Sequence, residues 1–579
     1  MKGLAISPGY AVGQIYRLKQ FKFEEQLPPP QETFSPQQEI EKVEMALELS
    51  RQEISRLLML PQIKSSIEIT SIFQAHLTLL DDPDLKEEIF KRISQQSQDA
   101  YTAISSVIQN YSNFFRNLPD PQFQGKAIDI MDVGKRLMKH CQGTPQMSGE
   151  PETNGGVIIV AEDLTPSEMA SFEPANILGI AIEDGTPTSH AAIMARTLGI
   201  PTLIQVEGLM EKAREGAIAI IDSVSEQIIF EPDDELKIKY KNAIKAWQQR
   251  QAHIQEMAGE PSVSLDGVPI MLSANIGQLS DVDLALANKA ESIGLFRTEF
   301  AYVGKQKLPT EEELFQAYAT IAKRFGHGEL TFRTCDIGGD KVSYALGDSL
   351  ERNPELGWRA IRVTLDQKDM FKTQLRAILR LSGILPEGQI RLMFPMISNL
   401  TELRDAKALL HECHEELINE GLRAASHIKT GMMIETPAAA LLAEKFAKEV
   451  EFFSIGSNDL TQYTLAVDRT NSKVSHLYQQ TSPAVLKLIK HVIDVAKKAN
   501  IDVSLCGELA GDSRFAPLLL GLGLESFSMN SILIPAVKHV VRNSDLYNLK
   551  KLVEPILAMD TAEEINQAVF RLNTKLGLQ

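Results

Sequence analysis

The run Thr188-Ser189-His190-Ala191-Ala192-Ile193-Met194-Ala195-Arg196 sets one histidine behind two hydroxyl residues, at the start of an alanine-rich stretch that stops at Gly199-Ile200-Pro201. Hydroxyl residues cap helices, and the first turn of a helix gathers unpaired N–H groups and positive dipole potential. A phosphate carried on the His190 ring would sit where the backbone favours negative charge, so the chemistry indicated is a phosphohistidine. Taken alone, a histidine behind a Ser/Thr cap also fits a purely structural first-turn residue.

A second set of reactive side chains lies further along, all but Arg469 just after a short apolar run. Arg297, Arg333, Asn458 and Arg469 supply cationic and amide groups, Glu435 and Asp459 supply carboxylates, and Cys506 supplies a thiol. Guanidinium forks grip phosphate or carboxylate groups in pairs, and two carboxylates bind Mg²⁺ incompletely, leaving positions for ligand oxygens and water. Such a set suits a small, highly anionic ligand and phosphoryl transfer, the reaction that most needs charge neutralised. Cys506 reads either as a small buried core thiol or as a proton donor to a metal-bound enolate.

The elements that must position these groups follow from the pattern of apolar runs. From Ser262 onward, eight of them (beginning at Ile270, Ile293, Leu330, Leu392, Met432, Phe452, Val503 and Phe527) alternate with helical stretches. Eight β-then-α units point to a closed (β/α)8 TIM-type barrel with its site where the strands end. Earlier in the chain, Val157–Val160, Ile177–Ile182 and Ala217–Ile221 read as strands of a mixed α/β unit that the first residues complete. Between two Pro- and Gly-rich breaks, Ile40, Val43, Ala46, Leu47, Ile54, Leu57 and Leu58 recur at helical spacing, as do Tyr101–Phe115 and Ala127–Leu137, giving an all-helical insertion. The expected organisation is an α/β phosphohistidine domain (1–33 and 143–232), the insertion (34–142), a linker helix (233–261) and the barrel (262–579). No stretch approaches the roughly 20 apolar residues of a membrane span, and the amino terminus lacks a signal-peptide core. Four scattered cysteines argue against disulfides, and a net charge of −17 disfavours nonspecific nucleic-acid binding, so a cytoplasmic protein is expected.

Taken in order, LTPSE (Leu164–Glu168), TSHxxIMAR (Thr188–Arg196), GLFRTEF (Gly294–Phe300), DIGGDK (Asp336–Lys341), NPxLGWRAIR (Asn353–Arg362), FPMI (Phe394–Ile397), IETPAA (Ile434–Ala439), IGSNDLTQYTLAVDR (Ile455–Arg469) and CGELAGD (Cys506–Asp512) resemble Enzyme I of the bacterial sugar phosphotransferase system. The resemblance implies a swivelling phosphohistidine domain and a barrel that binds phosphoenolpyruvate with Mg²⁺. It implies that His190 accepts the phosphoryl group and passes it to the carrier protein HPr. Arg297, Arg333, Asn458, Asp459 and Arg469 would contact phosphoenolpyruvate, Glu435 and Asp459 would bind the metal, and Cys506 would protonate the enolate. The insertion would dock HPr, through Ile72–His76 and Leu79–Pro83, and the barrels would pair as a homodimer. One departure is Gly185-Thr186-Pro187 before Thr188-Ser189-His190, where the family commonly has Gly-Gly-x; the proline fixes φ and restricts Thr186. Two other readings differ in class. A phosphoenolpyruvate synthase or pyruvate phosphate dikinase requires an ATP-binding domain with a nucleotide loop that this sequence does not carry, and a carrier-binding scaffold requires loss of the reactive residues.

Overall fold

The structure, a computed structural model of the chain, describes residues 1–18, 35–59, 67–116, 121–141, 156–170, 172, 174–185, 189–302, 307–338, 353–469, 471 and 473–578. They form two compact units, Met1–Gln251 and Ala252–Gln579.

The first unit is built on a sheet of β1 (Leu4–Ser7), β2 (Tyr10–Arg17), β3 (Val157–Ala161), β4 (Ile177–Ile182), β5 (Thr202–Ile204), β6 (Ile218–Asp222) and β7 (Gln227–Phe230). Its spatial order is β1-β5-β4-β3-β2-β6-β7, with β2 to β5 parallel and the outer strands antiparallel. Continuous apolar runs such as Val157–Ala161 form its buried centre, as expected where both faces of a parallel sheet are covered. The amino-terminal residues do complete the sheet, as β1 and β2.

Between β2 and β3 the described residues form the helices α1 (Pro36–Met59), α2 (Ile67–Leu80), α3 (Pro83–Gln96), α4 (Ala100–Arg116) and α5 (Pro121–Cys141). The helical periodicity read around Val43, Ile54 and Ile104 buries these side chains in one core with Ile159 of β3 and Met194 of α6 (His190–Leu198). Ile158, Val160 and Leu203 close the opposite face of the sheet. A long helix, α7 (Asp234–Glu256), follows β7.

Polar groups are also buried between the insertion's helices. The His76 ring is fully buried, its Nε2 3.4 Å from Asp129 Oδ1 and its Nδ1 3.8 Å from Asp132 Oδ2, so it packs α2 on α5 and presents nothing for docking.

The second unit is a barrel of eight parallel strands: β8 (Met271–Ile276), β9 (Ser292–Arg297), β10 (Leu330–Arg333), β11 (Ile390–Phe394), β12 (Lys429–Ile434), β13 (Phe452–Ile455), β14 (Asp502–Leu505) and β15 (Ser526–Asn530), the last pairing back with β8. All eight expected runs are strands of it. Leu295, Met393, Met433, Phe452 and Cys506 form a cluster separate from the larger outer core. Gly431 makes room for the Phe452 ring: a Cβ there would lie 2.6 Å from it. No helix among the described residues is long and apolar enough to cross a membrane.

A charge cluster ties α1 to α5 in the insertion, and it generates a pH prediction. Arg136 Nη1 lies 3.0 Å from Glu53 Oε1, and His140 Nε2 lies 2.9 Å from Glu53 Oε2. Burial alone would raise the Glu53 carboxyl, but the His140 hydrogen bond and the Arg136 charge outweigh it and hold the group down at about 2. A carboxyl lowered by folding contributes stability above its unfolded value of 4.5, and that stability is lost as pH falls toward about 2. In circular-dichroism melts, the Tm deficit of Glu53→Gln relative to the native chain is expected to shrink as pH falls through this window. A deficit independent of pH there would refute the assignment.

Candidate active site at the carboxyl end of the barrel

Arg297 and Arg333 are register partners at the last positions of β9 and β10, so strand geometry alone sets two guanidinium-bearing residues side by side. Arg297 is exposed, whereas Arg333 is buried and pairs with Glu299, just after β9, and with Asp336, its Nη1 lying 3.2 Å from Asp336 Oδ2. Glu299 thus serves Arg333. Beyond β10 the ladder continues, Thr334 N–H donating to Met393 O at 2.9 Å.

Asp336 also receives Arg359, whose Nε and Nη2 lie 2.9 and 3.2 Å from its two carboxylate oxygens in a bidentate fork. Arg359 Nη1 reaches Asp459 Oδ1 and the Tyr463 hydroxyl, each at 3.1 Å, and pairs with Glu355. Burial opposes charge on this guanidinium, but Asp336 and Asp459 outweigh it and raise its pKa above the ordinary arginine value. Sequence reasoning gave Arg359 no role. The signal available was its place in the Asn353–Arg362 motif, in a segment that follows no strand.

The backbone around Arg359 is held in an unusual shape. Gly338 pairs with Arg359 in an antiparallel bridge at φ +97°, and a Cβ on Gly338 would lie 2.1 Å from Trp358 O. Ala360 N–H donates to Ile337 O at 2.8 Å, with Ala360 at φ +54° and ψ −120°, a region essentially reserved for glycine. The guanidinium is fixed by this strained turn as well as by its ion pairs.

On the other side of the mouth, Glu435 follows β12 and Asp459 lies in the first turn of the helix Ser457–Leu465 that follows β13. Glu435 Oε1 accepts Met396 N–H at 2.5 Å. Burial first, then the Asp459 and Asp336 charges, push the Glu435 carboxyl up to about 8, against the pull of Arg333 and Arg359. Asn458 Oδ1 accepts Glu508 N–H at 2.9 Å, bracing the turn after β14. That turn lies so close that a Cβ on Gly507 would come within 1.9 Å of Ser457 Oγ. Half-buried Arg469 anchors its backbone, N–H to Gln462 Oε1, at 3.2 Å. Cys506, just after β14, is buried, and burial pushes its thiol up to about 11, the Ser454 hydrogen bond and the Arg333 and Arg297 charges pulling the other way. At neutral pH it therefore carries its proton.

The structure thus brings Arg297, Arg333, Glu435, Asn458, Asp459, Arg469 and Cys506 to one end of one barrel, and adds Glu299, Asp336 and Arg359. Arg333 Nε, Glu435 Oε2 and Ser457 Oγ are buried there with no hydrogen-bond partner among the described residues. An unpaired guanidinium N–H suits an anion, and an unpaired carboxylate oxygen beside Asp459 suits a hard divalent cation. Among the described residues no group of three or more His, Cys, Asp and Glu side chains forms a metal cage, so ligand and water would complete any coordination.

His190 belongs to the other unit, as the first residue of α6. Ser189 caps that helix, its side chain accepting Ala192 N–H at 3.3 Å, and Gly199 closes it in the left-handed conformation at φ +66°. Buried Ala191, Ala192, Met194 and Ala195 fasten α6 into the core. The Thr186-Pro187 departure lies outside the described residues.

Residues 251–546 match the PEP-utilising enzyme, PEP-binding domain family; residues 2–126 match the PEP-utilising enzyme, N-terminal family, and residues 153–226 the PEP-utilising enzyme, mobile domain family. The chain is 40% identical over 570 residues to a phosphoenolpyruvate-protein phosphotransferase of Geobacillus stearothermophilus, covering 98% of this chain and 97% of that protein. Proteins of the same name from Bacillus subtilis (strain 168) and Staphylococcus aureus are 39% and 37% identical, with 98% of each chain covered.

Asp336 generates a prediction of its own. With no exposed surface, it compensates two buried guanidinium groups, and removing one partner of a buried pair costs about 3–5 kcal/mol. Asp336→Ala is expected to lose stability on that scale in urea denaturation followed by the barrel's tryptophan fluorescence at Trp358. A loss below about 1 kcal/mol, the scale of a surface pair, would show that solvent screens this cluster.

Proposed function

The chain belongs to the phosphoenolpyruvate-protein phosphotransferase family, and from that membership we propose that it transfers the phosphoryl group of phosphoenolpyruvate to His190 and then to a histidine of the carrier protein HPr, releasing pyruvate in the first step of the sugar phosphotransferase system. The observation that carries this reading is the set of buried, unpaired polar atoms (Arg333 Nε, Glu435 Oε2 and Ser457 Oγ) at the mouth that also holds a protonated thiol.

Charge decides what the mouth can hold. Among the described residues, the guanidinium groups of Arg297, Arg333, Arg359 and Arg469 are matched by the carboxyl groups of Glu299, Asp336, Glu355, Glu435, Asp459 and Glu508. These groups leave no surplus positive charge for a ligand carrying both a phosphate and a carboxylate. Glu435 and Asp459 would hold Mg²⁺, whose charge offsets the phosphate oxygens and supplies Lewis-acid polarisation. Arg297, Arg333 and Arg469 grip and orient the two anionic ends, and Asn458 and Asp459 complete the contacts. As the bond between phosphorus and the enol oxygen breaks and one to a His190 ring nitrogen forms, the enolate takes a proton at its methylene carbon from the Cys506 thiol. This carbon protonation gives pyruvate directly and so removes the enolate oxygen that would accept the phosphoryl group in the return reaction. Docking of HPr falls to the helical insertion. The chain works in the cytoplasm, and exposed Leu441, Leu442 and Leu477, beyond the neighbouring strands β12 and β13, suit the pairing of two barrels as a homodimer.

Incubation with phosphoenolpyruvate labelled in its phosphoryl group, with Mg²⁺ and then HPr, tests the scheme. His190→Ala is expected to abolish acid-labile label while phosphoenolpyruvate still binds; retained label would remove His190 from the scheme. A chelator or Glu435→Ala should suppress labelling of the native site. Cys506→Ser is expected to slow pyruvate release by roughly 10²–10⁴-fold with little change in phosphoenolpyruvate affinity, the range for loss of a positioned proton donor. Near-normal turnover with a lowered Tm would instead mark the thiol as packing only.

A further inference from the structure

A buried amide behind the barrel wall connects the two arginine-bearing strand ends. Gln374 lies on the helix Lys368–Ser382 and is 1% exposed. Its Oε1 accepts Cys335 N–H at 2.9 Å, and its Nε2 donates to Thr298 Oγ1 at 2.8 Å and to the Tyr318 hydroxyl at 3.2 Å. Thr298 Oγ1 in turn donates to Arg333 O at 2.7 Å. The orientation of the amide is unambiguous, because the Cys335 N–H can only donate and so must meet the oxygen. Tyr318 is fixed from behind, its ring packing edge-on against Phe296 of β9 and Phe332 of β10.

The placement of these bonds is informative. Thr298 is the residue after Arg297 and the residue before Glu299, the partner of Arg333. Cys335 lies between Arg333 and Asp336. One side chain thus holds the backbone two residues beyond Arg333 directly and, through Thr298, both the Arg333 carbonyl and the end of β9 that carries Arg297. A buried amide loses hydration, and an apolar side chain of this size would fill the same space. Two of the three hydrogen bonds converge on the segments that bear the anion-binding groups, and the third, to Tyr318, anchors the amide from behind.

We propose that Gln374 is a positioning residue that sets the height and mutual spacing of Arg297 and Arg333 for the phosphoryl group; the inference rests on the reading of the barrel as a phosphoenolpyruvate site. Gln374→Met keeps the volume and deletes all three bonds. The arginines remain, but the strand ends that carry them are free to shift, and displacements well under an ångström to an ångström are enough to weaken a preorganised anion site.

The experiment uses the full-length chain in Mg²⁺ and measures phosphoenolpyruvate affinity by calorimetry beside the Tm. Gln374→Met is expected to weaken binding by roughly tenfold or more at a temperature where circular dichroism shows it folded. Ile378→Val, a cavity in the same helix, is expected to lower Tm and leave affinity unchanged. Should Gln374→Met not fold, the pair Thr298→Ser and Thr298→Val takes its place: serine keeps the hydroxyl bridge and native affinity, and valine loses both. Native affinity in Gln374→Met, or in Thr298→Val, overturns the positioning role alone. Failure of the native chain to bind phosphoenolpyruvate overturns the reading on which the role rests, and the role with it.

Discussion

One carboxylate, Asp336, holds the barrel mouth together. It is removed from water between two guanidinium groups, and each member of such a triad is tolerable only while the others stay in place. That condition fixes the course of the chain. The segment beyond β10 must return alongside Gly338 so that Arg359 can meet Asp336, and Arg359 then reaches Asp459 at the start of the helix after β13. Strands on different sides of the barrel are thus bound through charges that solvent does not screen.

Saturation and its absence divide the labour at this end of the molecule. Asp336, Gln374 and Thr298 are fully engaged within the protein, which makes them rigid supports. Glu435 Oε2 and Arg333 Nε have no partner among the described residues, a cost for buried atoms that a ligand at the mouth would offset. The tight backbone approaches at Gly338 and Gly507 and the strained turn at Ala360 serve the same division, since each brings main chain close enough to fix a polar group without filling the space the ligand takes.

Much of this was legible before any coordinates. Eight short apolar runs alternating with helical stretches, several of them followed at once by charged residues, define a barrel because strand ends are local features. The capped start of α6 was equally local. Arg359 and Gln374 were not legible in this way. Arg359 acts on partners 23 and 100 residues distant, and Gln374 looks like any polar position on an amphipathic helix until the barrel closes and turns it inward. Their roles exist only in the tertiary structure. His76 shows the converse: its local sequence fits a docking surface and a structural helix residue equally, and the packing of α2 on α5, which buries it, matches the second.

The insertion between β2 and β3 has a consequence for how the chain reaches its native state. These strands are parallel neighbours, with Gln14 opposite Val157, so their pairing closes a loop of more than a hundred residues. A loop of that length closes slowly as a random coil, but α1 to α5 make mostly local contacts and collapse early, drawing its ends toward each other before the strands meet. The buried face of α6 packs in one core with both the helices and the sheet, so the seat of the helix that begins with His190 is complete only when both are in place.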